Sequence, residues 1–310
     1  MADMAAGQTQ TRRAATPRIA RVEERWFYLF ISPWIVGFLV FTAGPMLASL
    51  FFTFTRYDIV HTPKWTGLDN LTTMIHTDLF WQSLKVTTYF TVGSVPTSIV
   101  LSLAIALLLN QKVRGMAVFR TIFYTPAVVS GVAVSLLWLF LFDPQFGPIN
   151  WALSLVGIQG PQWLLDEAWV IPALVIMSLW GIGGGIVIYL AGLQGIPSEL
   201  YEAAAIDGAG GWRKFLSVTL PMMSGVIFFN LIINVIASFQ VFTQAYVMTQ
   251  GGPHYASNFY LLYLYQNAFQ YFNMGYASAL AWVLFLIILA ITAAFFKSSP
   301  LWVYYEGARK

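Results

Sequence analysis

Cysteine is absent from the 310 residues, which excludes disulfides, thiolate metal sites and cysteine nucleophiles and leaves the redox compartment unread. Charge is scarce as well. Asp, Glu, Lys and Arg make up 9% of the chain, against about 25% in ordinary soluble domains. Between Lys214 and Lys297 there is none of the four. The three histidines, His61, His76 and His254, are scattered without ligand spacing, so no metal centre is expected. What fills the chain instead is 58% hydrophobic, including 17% aromatic, a composition read as an all-α polytopic membrane protein. The net charge of +3 does not point to nucleic acid, because the basic residues stand in small clusters beside apolar runs rather than along one stripe.

Six apolar runs, 26–52, 86–110, 118–142, 169–193, 222–247 and 274–296, match the roughly 20 residues that carry a helix across a hydrocarbon core. Residues 1–25 then form a basic N-terminal tail, 26–296 one six-span domain and 297–310 a C-terminal tail. The first run is longer than the roughly 7 to 15 residues of a signal-peptide core, so it is expected to stay as an anchor. Thirteen of the 16 Lys and Arg fall in the tails and the even-numbered connections, and only Arg56, Lys64 and Lys85 on the opposite side. Both termini are therefore expected to be cytoplasmic. Of the outer connections, the turn after Phe142 leads into an amphipathic stretch, 149–156, suited to the interface, and 249–270, rich in Tyr, Asn and Gln, reads as a second such element.

The fourth connection, 197–221, is compact and polar. Pro197 presets a helix start, Ser198 and Glu199 suit a first turn, and Leu200–Ile206 precedes a stop at Gly208. A second short helix, 212–218, is expected to end at Leu220-Pro221. Three consecutive alanines, 203–205, leave little side chain on the first helix, so a partner's groove can approach its backbone closely. An ordinary amphipathic loop between spans is the plainer reading of the same residues.

Polar residues inside the spans mark a second region. In the fifth span Asn230, Asn234, Ser238, Gln240 and Gln244 fall within an arc of roughly 160° on a helical wheel. Amides and a hydroxyl in a row suit a sugar's mixed donors and acceptors, and the absence of charge disfavours ionic solutes. The same residues also serve as hydrogen bonds between helices. Trp180 in the fourth span offers a platform for a sugar's CH face or a packing ring, and Pro126, Ser130 and Gly131 mark an irregular third span.

Glu202-Ala203-Ala204, Asp207-Gly208-Ala209 and Leu220-Pro221 match in type and spacing the EAA motif of permease subunits in binding-protein-dependent ABC importers. Phe146-Gly147-Pro-Ile-Asn150 and Thr249-Gln-Gly251-Gly252-Pro253 follow in register. Together they make the chain similar to the MalF/UgpA-type carbohydrate-uptake permeases over nearly its whole length, with a shorter second outer loop and six spans. The resemblance implies the type I ABC importer permease fold, a heterodimer with a second related permease, two ATP-binding cassette ATPases below and an extracytoplasmic sugar-binding protein above, in the cytoplasmic membrane of a bacterium or archaeon. It makes 197–221 the coupling helix hairpin, with Glu202, Ala203, Ala204, Asp207 and Gly208 engaging the ATPase, and carries over Asn234, Ser238 and Gln240 as lining a sugar path. ATP and Mg would then belong to the partner. This chain has no Gly-x-x-x-x-Gly-Lys-Ser/Thr, and Gly183-Gly184-Gly185 lies inside a span. It is expected to need no cofactor of its own and to catalyse no reaction.

Three rivals stand beside this reading. An ABC permease for glycerol phosphate or a polyol would share the architecture, although a phosphate ligand favours a central Arg or Lys. A secondary carrier would want an intramembrane carboxylate or an inverted repeat, and neither is visible. A membrane enzyme would rest on Asp166-Glu167, which has no partner base or metal motif nearby in sequence.

Overall fold

The computed structural model describes residues 17–304 except Lys112, with side chains from Val22 onward. Of the basic residues that set the expected orientation, Arg12, Arg13, Lys112, Arg309 and Lys310 lie outside the described residues, as do the side chains of Arg18 and Arg21. The chain divides into two units, 1–51 and 52–310.

The first unit carries α1 (Pro17–Phe38), a π-helical turn at Leu39–Ala43 and most of α2 (Gly44–Thr53). Val22–Thr53 forms one apolar helix of 32 residues, all but its last two in this unit. The helix starts at Pro17, nine residues before the apolar run, because the fixed φ of proline is already helical and its missing N–H has no partner to lose in a first turn.

The second unit opens with a two-strand hairpin, β1 (Thr55–Arg56) antiparallel to β2 (Lys64–Trp65), too short to be visible as alternation in sequence. In its turn Asp58 accepts from the backbone N–H of His61 at 2.9 Å and pairs with that ring at 2.7 Å, which together hold the carboxyl below its usual range. The short α3 (Asp69–Ile75) leads into α4 (Asp78–Leu109). Expected to begin at 86, this span starts eight residues earlier, because Phe80 and Ser83 turn inward while Asp78 and Lys85 stay exposed.

The third and fourth spans are both broken. In the third, α5 (Met116–Tyr124), a 3-10 turn at Thr125–Val128 and α6 (Gly131–Leu141) bend by 100°. Pro126 removes one helical N–H and crowds the preceding turn, and Ser130, with ψ 133°, is extended. After α7 (Pro148–Leu155), α8 (Val170–Trp180) and α9 (Gly183–Gln194) bend by 50° about Gly181 and Ile182. Among the described residues four helices are each long and apolar enough to span a membrane, or six segments when each bent pair counts as one span.

The fifth span corrects two expectations. Following α10 (Ser198–Ile206), α11 (Gly211–Lys214) does not end at Leu220-Pro221. It passes through a π-helical turn, Phe215–Thr219, into α12 (Leu220–Phe239), giving one 29-residue helix, Gly211–Phe239. The wider π turn seats Pro221 without breaking the helix. At the other end the span expected to reach 247 stops at Phe239. Part of the segment 249–270, expected to lie at the interface, is core. In α13 (Tyr260–Tyr265) and the residue before it, Phe259, Tyr260 and Leu262 are almost fully buried, and Tyr260 donates its N–H to Thr87 and its hydroxyl to Leu280 O, both at 2.9 Å. These bonds let a Tyr-rich segment sit inside. The last span, α14 (Met274–Ser298), completes the unit.

α4 is the central helix, packing on α8, α9, α12 and α13. Its inward stripe is hydroxylated: Ser83, Thr87, Thr91, Ser94, Ser98 and Ser102 are all buried. Most of these hydroxyls bond back to a carbonyl of their own helix, such as Ser83 to Phe80 O and Thr87 to Ser83 O at 2.8 Å. Small, self-satisfied side chains of this kind let neighbouring backbones approach.

Candidate functional site

The hairpin at 197–221 is built by its ending. Asp207 caps α10, Gly208 takes φ 75°, and the amides of Gly208 and Ala209 reach back to Ala205 O at 3.0 Å and Ala204 O at 2.8 Å. This is the Schellman pattern, whose left-handed residue is best supplied by glycine. Tyr201 bonds Thr219 across the hairpin at 2.9 Å and ties α10 to the base of the fifth span. Glu202 and Ala203 on α10 are exposed, as are Asp207 and Gly208, while Ala204 is half-buried. Beside them stand two large apolar side chains in the open, Ile206 at 88% and Trp212 at 73% exposure. Glu202 makes no ion pair among the described residues. The result is a capped, exposed turn with an acid that has no ion-pair partner among the described residues and two apolar side chains in the open, of which Trp212 also stacks on Phe215 at 5.4 Å.

The second region is a cavity of about 220 Å³ where α4, the break in the fourth span and the end of the fifth meet. Asn234, Ser238 and Gln244 line it, opposite Ser94 and Ser98 of α4 and Ser178 beside the break. Ser94 lies midway along α4, and the break at Gly181 and Ile182 exposes backbone to the same space. A discontinuous helix opening on a cavity that mixes hydroxyls and amides with apolar side chains is a recurrent arrangement at transport sites.

The five polar residues of the fifth span divide. Asn234 is half-buried and donates Nδ2 to Asn230 O at 2.8 Å. Ser238 donates to Val235 O and accepts from Thr91, both at 2.9 Å, so it also ties α12 to α4. Asn230 is buried, donates to Val226 O at 3.0 Å and faces Gly185 rather than the cavity. Gln240 caps the helix with φ −108° and is exposed, because the 100° periodicity that placed it on the arc ends at Phe239. Gln244 rejoins the cavity from the chain beyond. Trp180 is 37% exposed, meets Trp138 edge-on at 6.4 Å and does not line the cavity. Ser130, before α6, is exposed and away from it. Ser94 and Ser98 were missed in sequence, although the hydroxyl stripe at spacings of three and four along α4 was a readable signal.

The two further motifs each close a loop that follows a span. Asp143 accepts from the amides of Gln145 and Phe146, and Asn150 donates to Pro144 O and Pro161 O while accepting from the indole of Trp163 at 2.7 Å. A side chain at Gly160 would collide with Asn150. Asn150→Ala is therefore expected to cost about 1–3 kcal/mol by leaving the buried Trp163 N–H unpaired, read as a lower melting temperature in detergent and a shift of tryptophan emission. In the second motif Gln250 and Gly251 both take positive φ, and Ser257 bonds Thr249 at 2.7 Å. His254 in this loop pairs with Glu167 at 2.6 Å, both exposed. That gives the acid pair a neighbour invisible in sequence. No group of three metal-ligating side chains occurs among the described residues.

Residues 98–298 match the family model described as binding-protein-dependent transport system inner membrane component. Among curated proteins, the chain is 46% identical over 285 residues to the probable ABC transporter permease protein YesP of Bacillus subtilis, covering 90% of this chain and 92% of that one. It is 33% identical over 288 residues to the trehalose/maltose transport system permease protein MalF of Thermococcus litoralis, covering 91% and 96%. Among solved structures, a chain of a bacterial ABC transporter involved in the import of the acidic polysaccharide alginate superposes with TM-score 0.81 at 24% identity, over 91% of this chain and 98% of that one, which places the fold among the type I importer permeases. The broken spans, the protruding hairpin and this match agree: the chain belongs to the family of inner membrane components of binding-protein-dependent transport systems.

Proposed function

We propose that the chain is one permease half of an ATP-driven sugar importer, with 197–221 as the element that engages a separate ATPase. The observation that carries this is the hairpin: an ordered, capped helix that leaves Glu202, Ile206 and Trp212 outside. Exposed apolar side chains of this size next to an unpaired acid mark a protein contact rather than a solvated loop. Both termini and this hairpin then lie in the cytoplasm, and ATP and Mg belong to the partner.

The cavity fits half of a shared path. At about 220 Å³ it is smaller than the roughly 300 Å³ at which pockets for drug-sized ligands begin. A second, related permease supplies the other wall. Amides and hydroxyls without any cation among the lining residues suit a neutral sugar and disfavour glycerol phosphate. The partners this reading requires are the sister permease, two ATPases and an extracytoplasmic sugar-binding protein, which delivers and selects the solute.

Purification of the tagged chain from its native membranes in mild detergent tests the reading. Recovery of a P-loop ATPase and a second permease, with ATP hydrolysis stimulated by sugar-loaded binding protein, is the expected result; a lone, ATPase-free chain would return the secondary carrier to first place. Within the complex, replacing both Asn234 and Gln244 with Leu is expected to lower sugar uptake by roughly tenfold, about 1.4 kcal/mol of lost polar contact, at unchanged subunit recovery. Wild-type flux in the double variant would make them packing residues.

A further inference from the structure

A larger and more polar cavity, about 350 Å³, lies apart from the path, among the hairpin β1–β2, α3, α13 and the start of α14. Its lining includes Arg56, Asn70, Thr77, Asn267, Asn273 and Tyr276, and no carboxylate. Three observations bear on what it holds. First, its depth: Arg56 follows the last residue of the first span by three positions, Thr77 directly precedes α4 and Asn273 directly precedes α14. The cavity thus sits where membrane helices end, at the level of lipid headgroups. The hairpin and α3, which contribute to its wall, carry Val60, Trp65 and Ile75 in the open, apolar side chains suited to acyl chains and the interface rather than to water.

Second, the one charged side chain in its lining is a cation, Arg56, and two long helices, α4 and α14, begin at its wall with the positive ends of their dipoles, α4 carrying Asp78 as its first residue. The Gly275 N–H is already taken by Tyr57 O at 3.1 Å, and a Cβ at Gly275 would meet Thr55 O, so that wall is backbone held in place by the hairpin. Third, its polar groups are fixed. Asn267 is 94% buried (6% exposed) with Nδ2 bonded to Tyr263 O at 2.8 Å, Asn70 is anchored to Thr53 O and Thr55 O, and the hydroxyls of Tyr263 and Tyr276 pair at 3.1 Å. Such a set offers acceptors and donors to hydroxyls beside one site for a phosphate.

We propose that this cavity binds the headgroup of an anionic, hydroxyl-bearing phospholipid of the phosphatidylglycerol type, with its phosphodiester at Arg56 and its glycerol hydroxyls among Asn267, Asn273 and Tyr276. A choline or ethanolamine headgroup finds no carboxylate here for its cation. The inference does not depend on which solute is carried.

Native mass spectrometry of the full chain, in the complex with which it co-purifies, delipidated and titrated with phosphatidylglycerol or phosphatidylcholine, tests it. Retention of phosphatidylglycerol is expected to exceed that of phosphatidylcholine by roughly fivefold or more, the effect of one well-placed cation, and Arg56→Gln is expected to remove most of that preference. Arg56 is exposed, so the variant keeps the fold; Thr73→Val on the rim serves as a second lesion that weakens retention without altering charge. Equal retention of both lipids by the wild type, an undiminished preference in Arg56→Gln, or undiminished retention in Thr73→Val would overturn the proposal. Displacement of the bound lipid by soluble glycerol phosphate would overturn the lipid source and leave a free phosphate ester as the ligand.

Discussion

Charge reversal at Glu202 is expected to lower ATP-dependent uptake on the order of 100-fold while leaving the protein in the membrane. The size follows from placing a like or unpaired charge in a desolvated contact, which costs about 2–5 kcal/mol. The specificity follows from structure. Glu202 is exposed and unpaired among the described residues, so neither α10 nor its Schellman ending depends on it. Uptake in whole cells, beside membrane abundance of the chain and basal ATP hydrolysis of the purified complex, separates coupling from folding. Full transport by Glu202→Lys at normal abundance would remove the hairpin from the mechanism. Glu202→Gln is expected to fall between the two.

The second large effect is expected at Gly183. Here the two broken spans touch: a Cβ on Gly183 would lie 2.5 Å from Phe123 O and 3.0 Å from Tyr124 Cα, both backbone atoms just before the turn at Pro126. Neither can swing aside as a side chain would. Gly183→Val therefore has to push the two spans apart, an overpacking cost of about 1–3 kcal/mol or more. Its neighbour is the control, since a Cβ at Gly184 meets nothing within 4 Å. Thermal unfolding in detergent is expected to show a clear loss for Gly183→Val and almost none for Gly184→Ala. Equal melting temperatures would mean that the spans are not held together at this point.

Much of the architecture was legible because the bilayer simplifies the reading. The charge-free stretch between Lys214 and Lys297 and the lengths of the apolar runs announce spans directly, and Gly208 announced the turn that its φ of 75° requires. What was not legible depends on tertiary context. Pro126 warned of the break in the third span, whereas Gly181 and Ile182 gave no comparable signal for the fourth. Leu220-Pro221 looked like a stop, and a π turn absorbed it. Asn230 to Gln244 formed one face only as long as one helix was assumed; its end at Phe239 sends Gln240 outward and brings Gln244 back by a different route. The Tyr and Gln residues after 259 looked interfacial because hydrogen bonds such as Tyr260 to Leu280 O cannot be seen in composition.

The continuity of the fifth span has a mechanical meaning. Gly211, at the foot of the hairpin, and Asn234, at the wall of the cavity, belong to the same helix, separated by about 35 Å at 1.5 Å per residue. A straight rod of that length is a lever: tilting its foot by about 5° carries its far end through about 3 Å, the diameter of a hydroxyl group. The π turn at Phe215–Thr219 sits near the fulcrum, where a helix bends most easily. Beyond that turn the α-helix runs unbroken from Leu220 to Phe239, so a tilt set at the turn is carried undivided to the wall of the cavity.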